Sequence, residues 1–388
     1  MHVMLPQAKA HIQFLSILFL LFFLAATSEE LYAQSDTSPP DDAAQDSVVW
    51  IERSWSALPS LFYSPKTRIG GGGSVRFFPR RIQGTRPTNI QFSIIYTARK
   101  QMVISLVPDI FFKEKKRRLF LSALYLDFPD FFFGIGNDTV VNGIDEETDL
   151  KETASYTANT ASFLVSGEQE IRPNLSMGLQ SWIRYERVSE IQDSTILATR
   201  TLTGSDRGTA VGTGVFFRWD TRDNFFYTYT GHYVRGSFMT FPSALGSDYE
   251  FSRATLDMRK FIPLSWRYII ALRAYNQAAI GDAPFQLLPQ IGGRSLMRGY
   301  QEGRFKHNVL SVAQAEFRAY IWGPISGAVF ASVGDVQQRY NNLLSDRLIV
   351  AGGAGLRFLL NDEGLNFRFD FARGRTGNQL YFTLGEAF

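Results

Sequence analysis

The sequence predicts an all-β protein: a sixteen-stranded antiparallel transmembrane β-barrel behind a cleaved signal peptide. Three observations carry this prediction. From residue 60 onward apolar and polar residues alternate with a period of two, the repeat of a strand with two unlike faces. The alternating segments run to about ten residues, the reach of a tilted strand across a bilayer. Charged residues recur in mid-strand on the polar face, and the connections alternate between short and long, so that every long one falls on the same side of the sheet.

In chain order, Lys9 and His11 precede the run IQFLSILFLLFFLAATS, an apolar core followed by small residues, and residues 1–33 read as a secretory signal peptide. Residues 34–55, acidic and proline-containing, read as a short disordered periplasmic leader, and residues 56–388 as the barrel. Sixteen strands are expected near 60–64, 67–78, 89–99, 101–112, 117–127, 152–167, 175–188, 210–220, 232–242, 249–261, 268–281, 308–322, 325–334, 347–360, 365–373 and 378–388. The long connections near 129–151, 189–209, 282–307 and 335–346 each join an odd strand to the next even one. Both chain ends then lie on the short-turn, periplasmic side.

The faces can be read from parity. In 365–371 Leu365, Phe367, Phe369 and Phe371 share the lipid side, and Asn366, Arg368 and Asp370 the lumenal side. In 312–321 Gln314, Glu316, Arg318 and Tyr320 point to the lumen. The run KEKKRR (113–118) falls at a periplasmic turn, where Lys and Arg snorkel to leaflet phosphates or meet a docked protein. The chain ends in Phe388, in step with Leu380, Phe382 and Leu384; Tyr381, Phe382, Gly385 and Phe388 make up the expected C-terminal insertion signal.

Composition excludes several functions. The chain has no Cys, so disulfides and thiolate metal sites are ruled out, and a net charge of +3 is too small to argue for nucleic acid. Of the four His, two lie in the signal peptide, while His232 and His307 stand alone. No HExxH or GxSxG occurs, and GTGVFF (212–217) falls inside a strand. No catalytic residues, metal or cofactor are expected, and the chain does not read as an enzyme.

Several stretches resemble one family, the BamA/TamA superfamily barrel, also called the bacterial surface-antigen barrel. LPSLFYSPKTRIGGGG (58–73) is similar to its first hairpin, FFGIGNDT (132–139) to a loop after the fifth strand, and DTRDNFFYTYTGHYVRGSF (220–238) to the turn joining strands eight and nine. There Phe225 stands where the family often has proline. GGRSLMRGY (292–300) resembles the sixth extracellular loop, and AEFRAYIWGPISGAVFASVGDV (315–336) strands twelve and thirteen. The family's periplasmic polypeptide-transport-associated repeats have no counterpart between the signal peptide and the first strand.

The resemblance implies a weak seam between the first and last strands, formed by Phe62, Tyr63, Gly70, Gly71, Gly72, Gly73, Leu380, Phe382 and Leu384. It also implies that Arg298, with Gly299 and Tyr300, folds into the lumen. Glu316 is the expected main acid, and Asp370 or Asp257 a substitute for the second, because Ser332 occupies the position where the family usually carries Asp. The implied function is assistance in inserting or translocating proteins or lipids at the outer membrane of a Gram-negative bacterium. The alternative is a structural or pore-like barrel. The expected partners are outer-membrane lipid, lipopolysaccharide and a separate periplasmic or outer-membrane protein.

Overall fold

The structure is a computed structural model that describes residues 50–51, 53–64, 66–79, 81–82, 88–112, 116–137, 154–192, 197–343, 348–361 and 364–388. The predicted signal peptide and residues 34–49 of the leader lie outside these. Sixteen antiparallel strands close into one barrel. They are β1 (Ser54–Ser64), β2 (Arg68–Phe78), β3 (Asn89–Thr97), β4 (Met102–Phe112), β5 (Arg117–Phe132), β6 (Ala154–Arg172), β7 (Leu175–Ser189) and β8 (Arg207–Asp220). The second half continues with β9 (Gly231–Phe241), β10 (Phe251–Ser265), β11 (Tyr268–Gly281), β12 (Val309–Trp322), β13 (Ile325–Gln337), β14 (Ile349–Leu359), β15 (Asn366–Gly374) and β16 (Gly377–Leu384). Every consecutive pair is hydrogen-bonded, and β16 returns to β1. Closure matters because a backbone donor or acceptor left open in hydrocarbon has no water to bond.

The sixteen strands and the sidedness of the loops are as the alternation predicts, because side-chain parity is a local property of extended chain. On β15 Asn366, Arg368 and Asp370 are buried inside, while Phe367 and Phe371 are about two-fifths exposed outside. Leu61, Ile69, Phe92, Tyr96, Phe163 and Ile183 continue the outer apolar band, and Trp55, Trp266 and Trp322 mark its periplasmic edge.

Several strands run further than the sequence reading, β5 to Phe132 and β6 to Arg172, and three other features differ from it. β1 begins at Ser54, and Trp50–Ile51 pairs with Arg81–Ile82, so the leader read as disordered through residue 55 is ordered at its end. Pro59, which donates no ladder hydrogen bond, lies within this longer strand. It is tolerated because β1 is ladder-paired there to β2 alone, Pro59 facing Gly73. At the other terminus β16 stops at Leu384. Gly385 takes φ +79° and turns the chain inward. Phe388 is therefore not in step with Leu380, Phe382 and Leu384: it is buried with Ala387 against the lumenal Phe261 and Ala271. Finally, Arg118 of the KEKKRR run turns into the lumen onto Asp109, 2.5 Å away, and Glu168, rather than joining a basic turn; residues 113–115 are outside the described ones.

The upper lumen is filled. Phe132, Tyr156, Phe241, Phe251 and Phe285 form the centre of an apolar cluster shared by strand ends and the long loops.

Candidate functional site: the docked sixth loop and the strand seam

The loop between β11 and β12, residues 282–308, folds down inside the barrel. Gln290–Ile291 pairs with Phe305–Lys306 and makes it a hairpin. Its tip needs left-handed backbone at Gly292, Gly293, Met297 and Gly299, with φ between +58° and +115°. Met297 is a non-glycine residue in that region and is fully buried. Such a conformation persists only where surrounding packing holds it. Here Ile291, Met297, Tyr300 and Phe305 pack against Leu310, Val312, Val336 and Ile349 of the β12–β14 wall.

At the tip, Arg298 is 1% exposed. Its guanidinium donates to Asp370 Oδ2 at 2.7 Å and to Glu316 Oε2, and it lies 3.4 Å from the centroid of the Phe330 ring. The two carboxylates come from strands three apart, β12 and β15, so one loop residue ties them together. Three wall arginines complete the cluster. Arg318 Nε donates to Glu316 Oε1 at 2.7 Å, Arg357 Nη1 to Asp370 Oδ1 at 2.9 Å, and Arg368 lies 3.2 Å from Asp370 Oδ2. Glu386, in the inward-turned C-terminal segment, reaches Arg357 at 3.3 Å, and the Phe388 carbonyl accepts from Arg318 at 3.0 Å. Four guanidinium groups thus surround three carboxylates. The arrangement is held by charge-assisted hydrogen bonds in a site largely shielded from water.

Gly299 and Tyr300 fix the loop to the end of the barrel sequence. Gly299 N–H donates to Tyr381 Oη at 3.2 Å, and Tyr381 Oη donates to the Tyr300 carbonyl at 3.1 Å. Tyr300 Oη donates to the Val350 carbonyl at 2.6 Å and accepts from the Arg375 N–H at 2.9 Å. A side chain at Gly299 would press on Ala351 Cβ and on the Arg373–Gly374 backbone at 3.0 Å. Tyr381 therefore faces inward, away from the outer face of Leu380 and Phe382 where an insertion signal would be read.

Ser332 stays outside the cluster, donating to the Ala351 carbonyl at 3.3 Å. The second acid is Asp370, and Asp257 is occupied by Arg259 and Arg273 at 2.7 and 2.9 Å. The 132–137 stretch docks on the same loop and on β13: Gly136 N–H donates to the Lys306 carbonyl at 2.8 Å, and Asn137 to Asp335 of β13 at 2.7 Å. Parity placed Arg318 and Arg368 on the lumenal face without assigning them to this site, and Arg357 and Glu386 were not singled out from sequence. The available signal was the spacing of Glu316 with Arg318 and of Arg368 with Asp370, same-face neighbours two residues apart.

Within this loop, Lys306 is pushed down to about 8 by burial, opposed by the attraction of Asp130 and reinforced by the nearby Lys66 charge. Lys66 itself is raised, because its 2.9 Å contact with Asp130 outweighs burial.

The seam is the weakest joint of the sheet. Among the described residues one register pair, Tyr63↔Phe382, joins β1 to β16, whereas β1 and β2 match over the full span Ser54–Ser64. The two rings meet edge to face at 6.3 Å. On the lumenal side Phe62 lies over Gly70, whose missing side chain makes room for the ring, and Gly72 closely approaches the Ile94 carbonyl. Gly71 and Gly73 face outward beside Leu61 and Pro59. Leu380 and Leu384 are exposed on the lipid side.

Residues 83–388 match the family model of the Omp85 superfamily domain. No curated protein sequence matches the chain. Among solved structures, BamA from Haemophilus ducreyi lacking POTRA domains 1–3 superposes with a TM-score of 0.63 at 12% identity, over 86% of this chain and 70% of that one. CdiB from Escherichia coli gives 0.58 at 10% identity, over 85% and 62%, and CdiB from Acinetobacter baumannii 0.53 at 14%, over 86% and 59%. This chain thus spans about three-fifths of the CdiB chains. At these identities the likeness is one of fold. The sixteen-stranded barrel, the inward-folded loop and the family match together make this chain a member of the Omp85 superfamily, a β-barrel of the Gram-negative outer membrane.

Proposed function

We propose that this barrel aids insertion or translocation of client molecules at the outer membrane by opening between β1 and β16, with the docked sixth loop holding that opening shut and a separate partner delivering the client. The single register pair at Tyr63↔Phe382 carries the reading. An unpaired strand edge is a template for another strand, and both neighbours of this edge are short of partners. β16 has 8 residues, fewer than the ~9–11 a spanning strand uses, so the bilayer beside it is expected to thin. Loop six touches β16 through Tyr381, which gives the loop a handle on one lip of the seam. Outer-membrane lipid and lipopolysaccharide are the surroundings in which the seam would open, and a periplasmic protein is the expected delivery partner. The filled upper lumen argues against the passive pore.

The test is Tyr63→Cys with Phe382→Cys in a chain that has no other Cys. Facing residues of an antiparallel pair lie within disulfide reach. Oxidised, the lock is expected to abolish the protein's contribution to outer-membrane composition, and reduction to restore it. Unchanged growth and outer-membrane composition with the lock closed would sink the gate.

A further inference from the structure

We propose that the lumenal face of β4 and β5 binds the acyl chain of an amphipathic lipid. The existence of this site does not depend on the seam reading, although its route of access does. A barrel interior is ordinarily polar, and β15 obeys that rule. β4 and β5 do not. Ile95, Val103 and Leu126 face each other directly across three strands, and the same row continues to Gly72 on β2. Along β5, Phe120, Leu124, Leu126 and Phe128 share the face of Arg118, whose ion pairs with Asp109 and Glu168 fix that face as the lumenal one. These side chains are only partly buried, so the loops that fill the upper lumen leave them uncovered in part. The outer face of these strands and of β6 is also apolar, with Leu106, Tyr125 and Phe163 exposed. β5 therefore presents hydrocarbon on both faces, broken on the lumenal one by Ser122.

The shape and the ends of this surface point to a lipid. From Phe120 to Phe128 the track runs about 26 Å at 3.3 Å per residue, longer than the roughly 15 Å of hydrocarbon in one leaflet. Charge closes it at both ends. Arg118 lies 5.3 Å from the Phe111 ring and 5.4 Å from Phe120, and Lys66 lies 5.3 Å from Phe128 while paired to Asp130. Toward the seam the row passes Gly72 and Gly70, with the Phe62 ring against Gly70. A polypeptide strand fits this wall poorly. β3, β4, β5 and β6 are hydrogen-bonded on both edges, so a strand laid on their apolar face would find no partners for its backbone. An acyl chain has no such groups to satisfy.

The experiment uses the full chain in liposomes containing phosphatidylethanolamine with a photoactivatable diazirine on one acyl chain, followed by mass mapping of the adducts. Adducts are expected on Val103, Leu124 and Leu126 as well as on the outward Leu106 and Tyr125. Leu124→Asn with Leu126→Asn should cut the lumenal adducts roughly tenfold or more and leave the outward ones unchanged, which also reports that the barrel has folded. Adducts confined to outward residues in the unmodified protein would overturn the proposal. So would a client's C-terminal strand peptide that crosslinks to the same lumenal residues and displaces the lipid. With the Tyr63→Cys/Phe382→Cys lock closed before the probe lipid is added, lumenal adducts should disappear. If they persist, the seam is not the entry, and the gate fails while the lumenal site stands.

Discussion

Replacing Arg298 by Met keeps most of its length and removes its charge. The side chain makes two charge-assisted hydrogen bonds, to Glu316 and Asp370, and lies over Phe330. Hydrogen bonds to charged groups contribute about 1.5–3 kcal/mol each, and removing one partner of a buried pair typically costs about 3–5 kcal/mol. Here the low end applies, because Arg318, Arg357 and Arg368 remain to compensate the two carboxylates. A loss of about 3 kcal/mol in loop docking corresponds to roughly a hundredfold increase in the undocked population. Proteolysis of a transiently opened segment follows that population when reclosing is fast. Cleavage within 282–308, measured on the reconstituted barrel with excess protease held constant, should therefore accelerate by about two orders of magnitude, while the strands stay resistant. Arg298→Lys should fall between, since an ammonium lacks the planar fork that spans two carboxylates. An unchanged rate in Arg298→Met would mean that the apolar packing of Met297, Tyr300 and Phe305 docks the loop without the ion cluster, and the reasoning above would be refuted.

Two further outcomes follow from the same geometry. Gly299→Ala places a methyl against Ala351 and the Arg373–Gly374 backbone at a φ of +115°, so it should undock the tip by about 1–3 kcal/mol, seen as faster cleavage with the ion cluster intact; wild-type cleavage would show that the close approach is relieved by a small shift. Lys306 has a folded-state value of about 8 against an ordinary 10.5, so between those two pH values the docked state binds fewer protons than the undocked one. Docking should then strengthen as pH rises from about 8 toward 10.5, by up to about 3 kcal/mol, and Lys306→Met should remove this slope; a slope that persists in the variant would assign it to another group.

How much of this was legible in the sequence depends on the range over which each feature is decided. Alternation in LNFRFDF assigns Asp370 and Arg368 to the lumen, because successive side chains of any extended segment point to opposite faces. The sixth loop could be recognised by its glycines, since only backbone near φ +90° to +115° allows the tip to turn and approach the wall at Gly292, Gly293 and Gly299. The partner of Arg298 was only half legible. Glu316 follows from parity and from the resemblance, but the second acid lies on β15, and which of several lumenal carboxylates comes within 2.7 Å depends on closure of the whole sheet. Arg357 and Glu386 were missed for the same reason, as each becomes significant only through a neighbour distant in sequence.

The sequence by itself determined the strands, their inner and outer faces and the side on which the long loops lie, while the entry of the sixth loop into the barrel was implied by the family resemblance. The strands, their faces and the side of the loops are set by residues a few positions apart. The tertiary structure decided what those faces meet. It carried the chain at Gly385 away from the strand it was expected to continue, and it filled the place left by Ser332 with a carboxylate from β15. It also showed that apolar residues of β4 and β5 line the interior as well as the exterior. The physical reason is that ion pairing and burial depend on distances across a closed barrel, and those distances are fixed only when every strand has found its register.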